Sequence, residues 1–295
     1  MSAKVSVIIV HWNQPQACSR TVDAFAQLTE VAEVMVVDNG SGPEERQLLD
    51  ELLGANVPVI DVGYNSGFGP AANRGWERWL IDGSGTEWSV VAPHDALPKP
   101  GTIAAMLNAA HERPAAGLLS ADVGDGSIPK VDHVFGPILV PAADEFGFQV
   151  ADYPHGTLMM ASRTCLNSIG LFDERFFAYC EEADLGLRAK SSGFEVGLVR
   201  GAMVVNPMVA SATPVVEYLM ERNTILLMAK HFGRRKAAMR FAMMFWQLAK
   251  GSLSAERRTP YWSAPARRRA ICDVLSRRWG PPPESLSDSV LVERG

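Results

Sequence analysis

Residues 5–13 read VSVIIVHWN. Val5–Val10 is a β-branched apolar run that stops at a histidine, a tryptophan and an asparagine, the pattern of a strand buried on both faces. Working outward, Ala17–Leu28 has helical periodicity, and Val31–Val37 is a second strand ending at the turn DNGSG. Pro43–Leu53 reads as a helix with acids in its first turn. Val57–Val62 is a short third strand, followed by YNSGFGPAANRGWERWL, a Gly/Asn loop running into a helix. Trp88–Ala92 is a fourth strand leading to Asp95, Thr102–Glu112 is helical, and Ala116–Ser120 is a further strand. Strands alternating with helices predict an α/β fold, with a mostly parallel sheet flanked by helices on both faces. Ligands of such sheets bind at the carboxyl ends of the strands, near a reversal of strand order. Asn13, Asp38, Asn65 and Asp95 all lie just past strand ends and are expected on one rim.

A chain of 295 residues has room for one large α/β domain or two modest ones. At 47% hydrophobic and 21% charged residues it is globular, not disordered. The net charge of −5 argues against a dedicated nucleic-acid binder, but it hides an asymmetry. His231–Gly280 holds twelve Arg or Lys against two acids, leaving the remainder near −15. Cys18, Cys165, Cys180 and Cys272 form no CxxC pair and fit neither a zinc site nor a disulfide framework, so a reducing cytoplasm is expected. The N-terminal apolar run is too short for a signal peptide, and no stretch approaches the roughly 18–20 apolar residues of a membrane span.

Three segments carry candidate chemistry. In VVDNGSG (36–42), Asp38 is either an Asx-turn residue or a carboxylate that accepts hydrogen bonds from a base or ribose. NSGFGPAANRG (65–75) brings glycines and a helix N-terminus, which suit a phosphate, but it is neither GxGxxG nor a P-loop, and a structural turn is the plainer reading. AYCEEADLGLR (178–188) is the richest acidic stretch. On a helix Glu181 and Asp184 face roughly one way, Glu182 is turned by about a quarter of a circle, and Asp184 is spaced to pair with Arg188. Acids at a helix start are commonly solvated and favoured by the dipole. The aromatic setting FDERFFAY instead implies partial burial, which raises a carboxylate's pKa and suits a general base. The six histidines have no metal-ligand spacing. Asp95, beside His94 in APHDALP, is either a turn residue or a metal-facing carboxylate.

Taken in order, VSVIIVHWN, VVDNGSG, NSGFGPAANRG, APHDALPKPG, LFDERFFAYCEEADLGLRAKSSGFEV and YLMERNTILL resemble the family 2 inverting glycosyltransferases, in particular the rhamnosyltransferase-like branch. The resemblance covers roughly residues 4–230 and implies a GT-A fold, a Rossmann-like nucleotide half joined to an acceptor half in one sheet. It also implies roles. Asp38 would hold the nucleotide base, and Asn65, Gly67 and Asn73 would shape the donor pocket, with Asn13 and His94 as further donor-side candidates. Asp95 would meet Mg2+ or Mn2+ on the diphosphate. Glu182 would be the catalytic base, supported by Glu181 and Asp184. Two departures stand out. Pro93-His94-Asp95 lacks the first polar group of the metal motif, and VVNPMVASATP has Asn206 near the place where many relatives carry a histidine. Weaker metal binding through side chains is one consequence. A degenerate nucleotide-sugar-binding scaffold is the alternative function. A nucleotidyltransferase would want a Gly-rich basic loop near the N-terminus, which HWNQPQA is not.

The expected division is a catalytic domain over 1–230 and a helical, basic region over 231–295 with a Pro-rich tail. Ala237–Ala249 is almost wholly apolar, carries Phe241, Phe245 and Trp246, and is flanked by Arg234, Arg235, Lys236 and Lys250. It suits a helix on an anionic membrane surface, or one packed on the catalytic domain or in a homodimer; nucleic acid ranks below both. The function expected is transfer of a sugar, L-rhamnose or another deoxysugar, from a nucleotide-diphosphate donor to a glycan, lipid-linked or small-molecule hydroxyl. Residues 121–155, a Gly/Pro/Asp-rich loop or hairpin excursion, bear on acceptor choice. The expected location is the cytoplasm, peripheral on the inner face of the plasma membrane.

Overall fold

The computed structural model describes residues 4–82, 85–206, 214–258 and 262–287. Its first half follows the alternation read from the sequence: β1 (Val5–His11), α1 (Pro15–Ala26), β2 (Val31–Asp38), α2 (Pro43–Leu53), β3 (Val59–Asp61), α3 (Phe68–Asp82) and β4 (Trp88–Pro93). A two-residue strand β5 (Leu97–Pro98), α4 (Thr102–Glu112) and β6 (Ala116–Asp122) follow. β3 is shorter than the expected Val57–Val62, and a 3-10 turn, Gly54–Asn56, precedes it.

Residues 121–155 form β7 (Ser127–Asp132) and β8 (Gly136–Pro141), an antiparallel hairpin apart from the main sheet, and β9 (Gly147–Val150). Then come β10 (Met159–Ser162), α5 (Arg163–Ile169), α6 (Glu181–Ser191) and β11 (Glu195–Val205). The main sheet runs β3-β2-β1-β4-β10-β6-β11-β5, with β9 also on β11. It is mostly parallel around β1 and mixed beyond β4, where β10 lies antiparallel between β4 and β6.

The period of two in β1 splits the core. Val5, Val7 and Ile9 face α1 and α4 through Cys18, Val22, Phe25, Ile103 and Met106. Ile8 and Val10 face α3, α5 and α6 through Trp76, Trp79, Leu166 and Leu185. Burying each large apolar side chain is worth about 1.5–3 kcal/mol, so β1 anchors both layers. Registration then aligns the strand ends. His11 lies opposite Asp38, Asp38 opposite Asp61, and Val10 opposite Pro93. Because β2 and β4 flank β1 on opposite sides, the order reverses there, which is where sheets of this kind bind ligands, at their carboxyl ends.

Three long helices close the described chain: α7 (Pro214–His231), α8 (Gly233–Leu253) and α9 (Ala264–Leu275). They share a core of Tyr218, Leu219, Met244, Ala266, Ala270 and Ile271. α7 is buried nearly all round and packs against α6 as well as α8 and α9. Among the described residues, no helix is long and apolar enough to cross a membrane.

Candidate active site

At the β1–β2 end of the rim, the Asp38 carboxylate is buried. It accepts from Ser41 Oγ at 2.5 Å, lies 3.1 Å from His11 Nδ1, and has Arg46 at 3.6 Å. Burial pushes its pKa up, but the bonds to His11 and Ser41 outweigh that and hold it below the ordinary value. Asn13, with φ of 51°, ties this corner together by accepting from the Gly42 N–H at 2.9 Å. Asp38 is thus a buried carboxylate at the end of β2, bonded within its own turn through Ser41.

The glycine loop is organised internally. Asn65 Oδ1 accepts from Asn39 Nδ2 and from the Gly67 N–H, both at 3.1 Å. Gly67 has φ of +98°, and a Cβ there would stand 2.2 Å from the Phe177 carbonyl oxygen. Only glycine allows that approach. Asn73, buried on α3, donates to the Phe172 carbonyl and accepts from the Phe172 N–H, both at 3.0 Å. The loop and α3 are thereby clasped to the turn preceding α6.

That turn is strained. Phe177, Tyr179 and Cys180 all have positive φ, at 66°, 67° and 73°. Asn223 of α7 restrains it, donating through Nδ2 to the carbonyls of Phe176, Ala178 and Tyr179 at 2.7, 2.8 and 2.9 Å. Over-determined strain of this kind is found where a side chain must be aimed. Here the side chains are Glu181 and Glu182, the first residues of α6.

Glu181 is buried, and its Oε2 has no hydrogen-bond partner among the described residues. Burial, and then the charge of Glu182, push its pKa well above the ordinary carboxylate value. Burial also raises Glu182 to about 7, against an opposing pull from a backbone N–H and from Glu181. Gly156 makes room for it: a Cβ there would stand 2.1 Å from Glu182 Oε1. Asp184 faces another way. Its carboxylate meets Arg188 Nε at 2.9 Å, and Lys230 Nζ and His231 Nε2 at 2.7 Å each. Burial pushes its pKa up, yet His231, Arg188 and Lys230 hold it below the ordinary range. The pairing with Arg188 was legible in the spacing; the two partners from α7 were not.

The acidic pair has a stability consequence. A carboxylate whose folded pKa is raised favours the fold at low pH, and that contribution is lost as pH rises through the folded pKa. Glu181→Gln, which does not titrate, should therefore raise Tm more at pH 8 than at pH 5, each kcal/mol corresponding to roughly 2–4 °C at this size. Thermal melts at the two pH values check this; an equal shift at both would mean that Glu181 is ionised without penalty.

A cavity of about 780 Å³ opens on this pair. Pro93 at the end of β4, Tyr153, His155, Gly156, Glu181, Glu182 and Asn206 line it, together with hairpin residues such as Phe135 and Leu139. Its far wall is a buried ion cluster in which Arg267 pairs with Glu217 and Glu221, and Arg240 with Glu221. Of the expected site residues only Glu181 and Glu182 line it; Asn13, Asp38, Asn65, Gly67, Asn73, His94, Asp95 and Asp184 do not. Residues 207–213, the rest of the stretch where a histidine was sought, lie outside the described residues.

Asp95 sits in the turn two residues after Pro93, half-buried, with its pKa raised by burial. No ion pair among the described residues engages it. His94 is neutral, lowered by burial and by the neighbouring His11 to about 4. Among the described residues, no cluster of three His, Cys, Asp or Glu is placed to hold a metal. One uncompensated carboxylate nevertheless fits a hard cation that takes its other ligands from phosphate oxygens and water, as Mg2+ does.

Asn223, Gly156 and the Glu217/Glu221/Arg240/Arg267 cluster were not anticipated. A signal for Asn223 was present: ERN (221–223) interrupts the apolar run between Tyr218 and Met228, and buried polar groups need partners.

The family model described as Glycosyl transferase family 2 matches residues 6–167, more than half of the chain. An N-acetylglucosaminyl-diphospho-decaprenol L-rhamnosyltransferase from Mycobacterium tuberculosis is 28% identical over 241 residues, covering 70% of this chain and 76% of that protein. A low-salt glycan biosynthesis hexosyltransferase from Haloferax volcanii is 27% identical over 203 residues, 65% of this chain and 64% of its own length. Among solved structures, GalNAc-T7 with UDP, GalNAc and Mn2+ superposes with a TM-score of 0.66 at 14% identity, over 93% of this chain and 56% of that one. The mannosyltransferase PcManGT from Pyrobaculum calidifontis, in complex with GDP-Man and Mn2+, gives 0.58 at 14% identity, over 94% and 88%. These likenesses bear out the expected GT-A fold.

Proposed function

The chain belongs to glycosyl transferase family 2, and on that premise we propose that it moves L-rhamnose or another deoxysugar from a nucleoside diphosphate to a hydroxyl acceptor, with inversion at the anomeric carbon. Sugar transfer from a nucleotide sugar is what the family membership carries. The observation behind the mechanism is the placement of Glu182, with its pKa near 7, on the wall of a cavity that begins at the end of β4. The Glu182 carboxylate accepts the acceptor's hydroxyl proton. The freed oxygen forms its bond to the anomeric carbon while the bond to the diphosphate breaks, and the electron pair leaves with the nucleoside diphosphate. No covalent sugar–protein intermediate is needed. Glu181, kept neutral by burial, leaves the negative charge to Glu182. The ionised Asp38 and the corner built by Asn13 serve the nucleoside, and Asn65, Gly67 and Asn73 act by holding the glycine loop against the Phe177 turn.

Asp95 is the residue that would hold Mg2+ or Mn2+, whose chemistry there is to neutralise charge developing on the leaving diphosphate. The acceptor is a glycan or a lipid-linked sugar, a reading supported by the lipid diphosphate named for the mycobacterial relative. Free, buried Cys18, Cys165 and Cys180 accord with a reducing cytoplasm.

A panel of nucleotide sugars screened by thermal shift and by nucleoside diphosphate release tests the proposal. A donor that stabilises the chain and is turned over supports it; stabilisation without release on any acceptor returns the scaffold alternative. Within the same assay, Asp95→Ala should raise the metal concentration needed for half-maximal release by about tenfold or more, the usual loss on disturbing a metal site. Parent and variant responding alike to metal would remove Asp95 from that role.

A further inference from the structure

We propose that the outward face of α8 docks this protein onto an anionic lipid surface. The helix carries no acid from Gly233 to Leu253. On its solvent side Met239, Phe245, Trp246 and Leu253 are 46%, 46%, 56% and 89% exposed, with exposed alanines between them. Spacings of three and four residues put them on one stripe, about 20 Å long at 1.5 Å per residue. Cations bracket the stripe. Arg234 and Arg235 are exposed at its start, and Lys250 Nζ lies 3.4 Å from the Trp246 ring centroid near its end.

An apolar stripe with an interfacial tryptophan and basic ends is the pattern of a helix lying in a headgroup layer. Charge selects the occupant. The chain as a whole is at −5, yet this helix is purely basic, which complements anionic lipid. A two-fold partner formed by the same face would set Arg and Lys against Arg and Lys with no acid between them. Nucleic acid would leave the tryptophan, phenylalanine and leucine without a use.

The docking also has a geometric link to the cavity. Arg240, buried on the opposite side of α8, lines the cavity that contains Glu182. One helix, about 10–12 Å thick, therefore separates the cavity from the surface at which a lipid-linked acceptor would arrive. The lipid docking itself does not depend on the proposed transfer reaction.

Flotation of the full chain with vesicles of phosphatidylcholine alone, or with phosphatidylglycerol added, tests the proposal without donor or acceptor. The expected result is binding to the anionic vesicles, weakened by salt. Phe245→Ser with Trp246→Ser should lower that partitioning at least about tenfold, since two large apolar contacts are lost. Its Tm and its nucleoside diphosphate release with a soluble acceptor should stay at parent values. Vesicle binding that is absent in the parent, or unchanged in the double variant, overturns the proposal. So does concentration-dependent self-association of the parent, or its binding to duplex DNA, that the double variant abolishes while vesicle binding persists.

Discussion

Glu182→Gln is expected to lower kcat by about 10²–10⁴-fold, the contribution of a positioned general base, while donor affinity stays near the parent value. Glutamine keeps the size and polarity of the side chain against Gly156, so the cavity wall is preserved and the base alone is removed. The pH dependence gives an independent reading. Burial puts Glu182 near 7, so parent kcat/KM should climb with pH and level off above that value, as the carboxylate loses its proton. The residual rate of the variant should lack this limb. Nucleoside diphosphate release across pH, with calorimetry for donor binding, checks both. Parent-like turnover by the variant would sink the assignment of Glu182, and an unaltered acidic limb would move the titration to another group.

Asn223→Ala carries the second large effect, on stability and turnover together. One amide holds three carbonyls of the turn before α6 and accepts from Arg222 Nε at 3.0 Å. Each buried carbonyl left without a donor costs about 1–3 kcal/mol, and the three left-handed residues lose the restraint that keeps them there. The Phe176 carbonyl keeps the Ala178 N–H as a donor at 2.8 Å, so two carbonyls are left bare and a total loss of roughly 2–6 kcal/mol follows. Asn223→Asp, similar in shape but an acceptor where donors are needed, should be at least as damaging. Denaturant titration gives the stability, and kcat measured well below the melting point gives the positioning. A loss under about 1 kcal/mol would show that the turn holds its own conformation.

The contrast between these two residues shows what could be read in advance. The acidic group stood out in one dimension because three acids follow an aromatic run in FFAYCEEAD, and the family resemblance picked Glu182 from among them. Asn223 lies some forty residues further on, and its three acceptors exist only once α7 packs behind the turn. The same distinction separates Asp184 from its partners: Arg188 is four residues along one helix, whereas Lys230 and His231 arrive from another. Asn73 looked like a pocket residue and is found clasping the Phe172 backbone, a contact ninety-nine residues away in sequence.

The alternation of strands and helices, the two-faced burial of β1, and the rim of Asn13, Asp38, Asn65 and Asp95 were determined by the sequence itself. They rest on periodicity and turn chemistry, which act between near neighbours. The antiparallel entry of β10 beside β4, the strained turn that aims Glu181 and Glu182, and the extent of that pair's burial, whose direction the aromatic setting already implied, were decided by tertiary structure. So was the division of α8 into a wall of the cavity and an exposed apolar stripe. Each depends on which distant surfaces exclude water from which side chains, and desolvation is a property of the packed molecule, not of the residues taken in order.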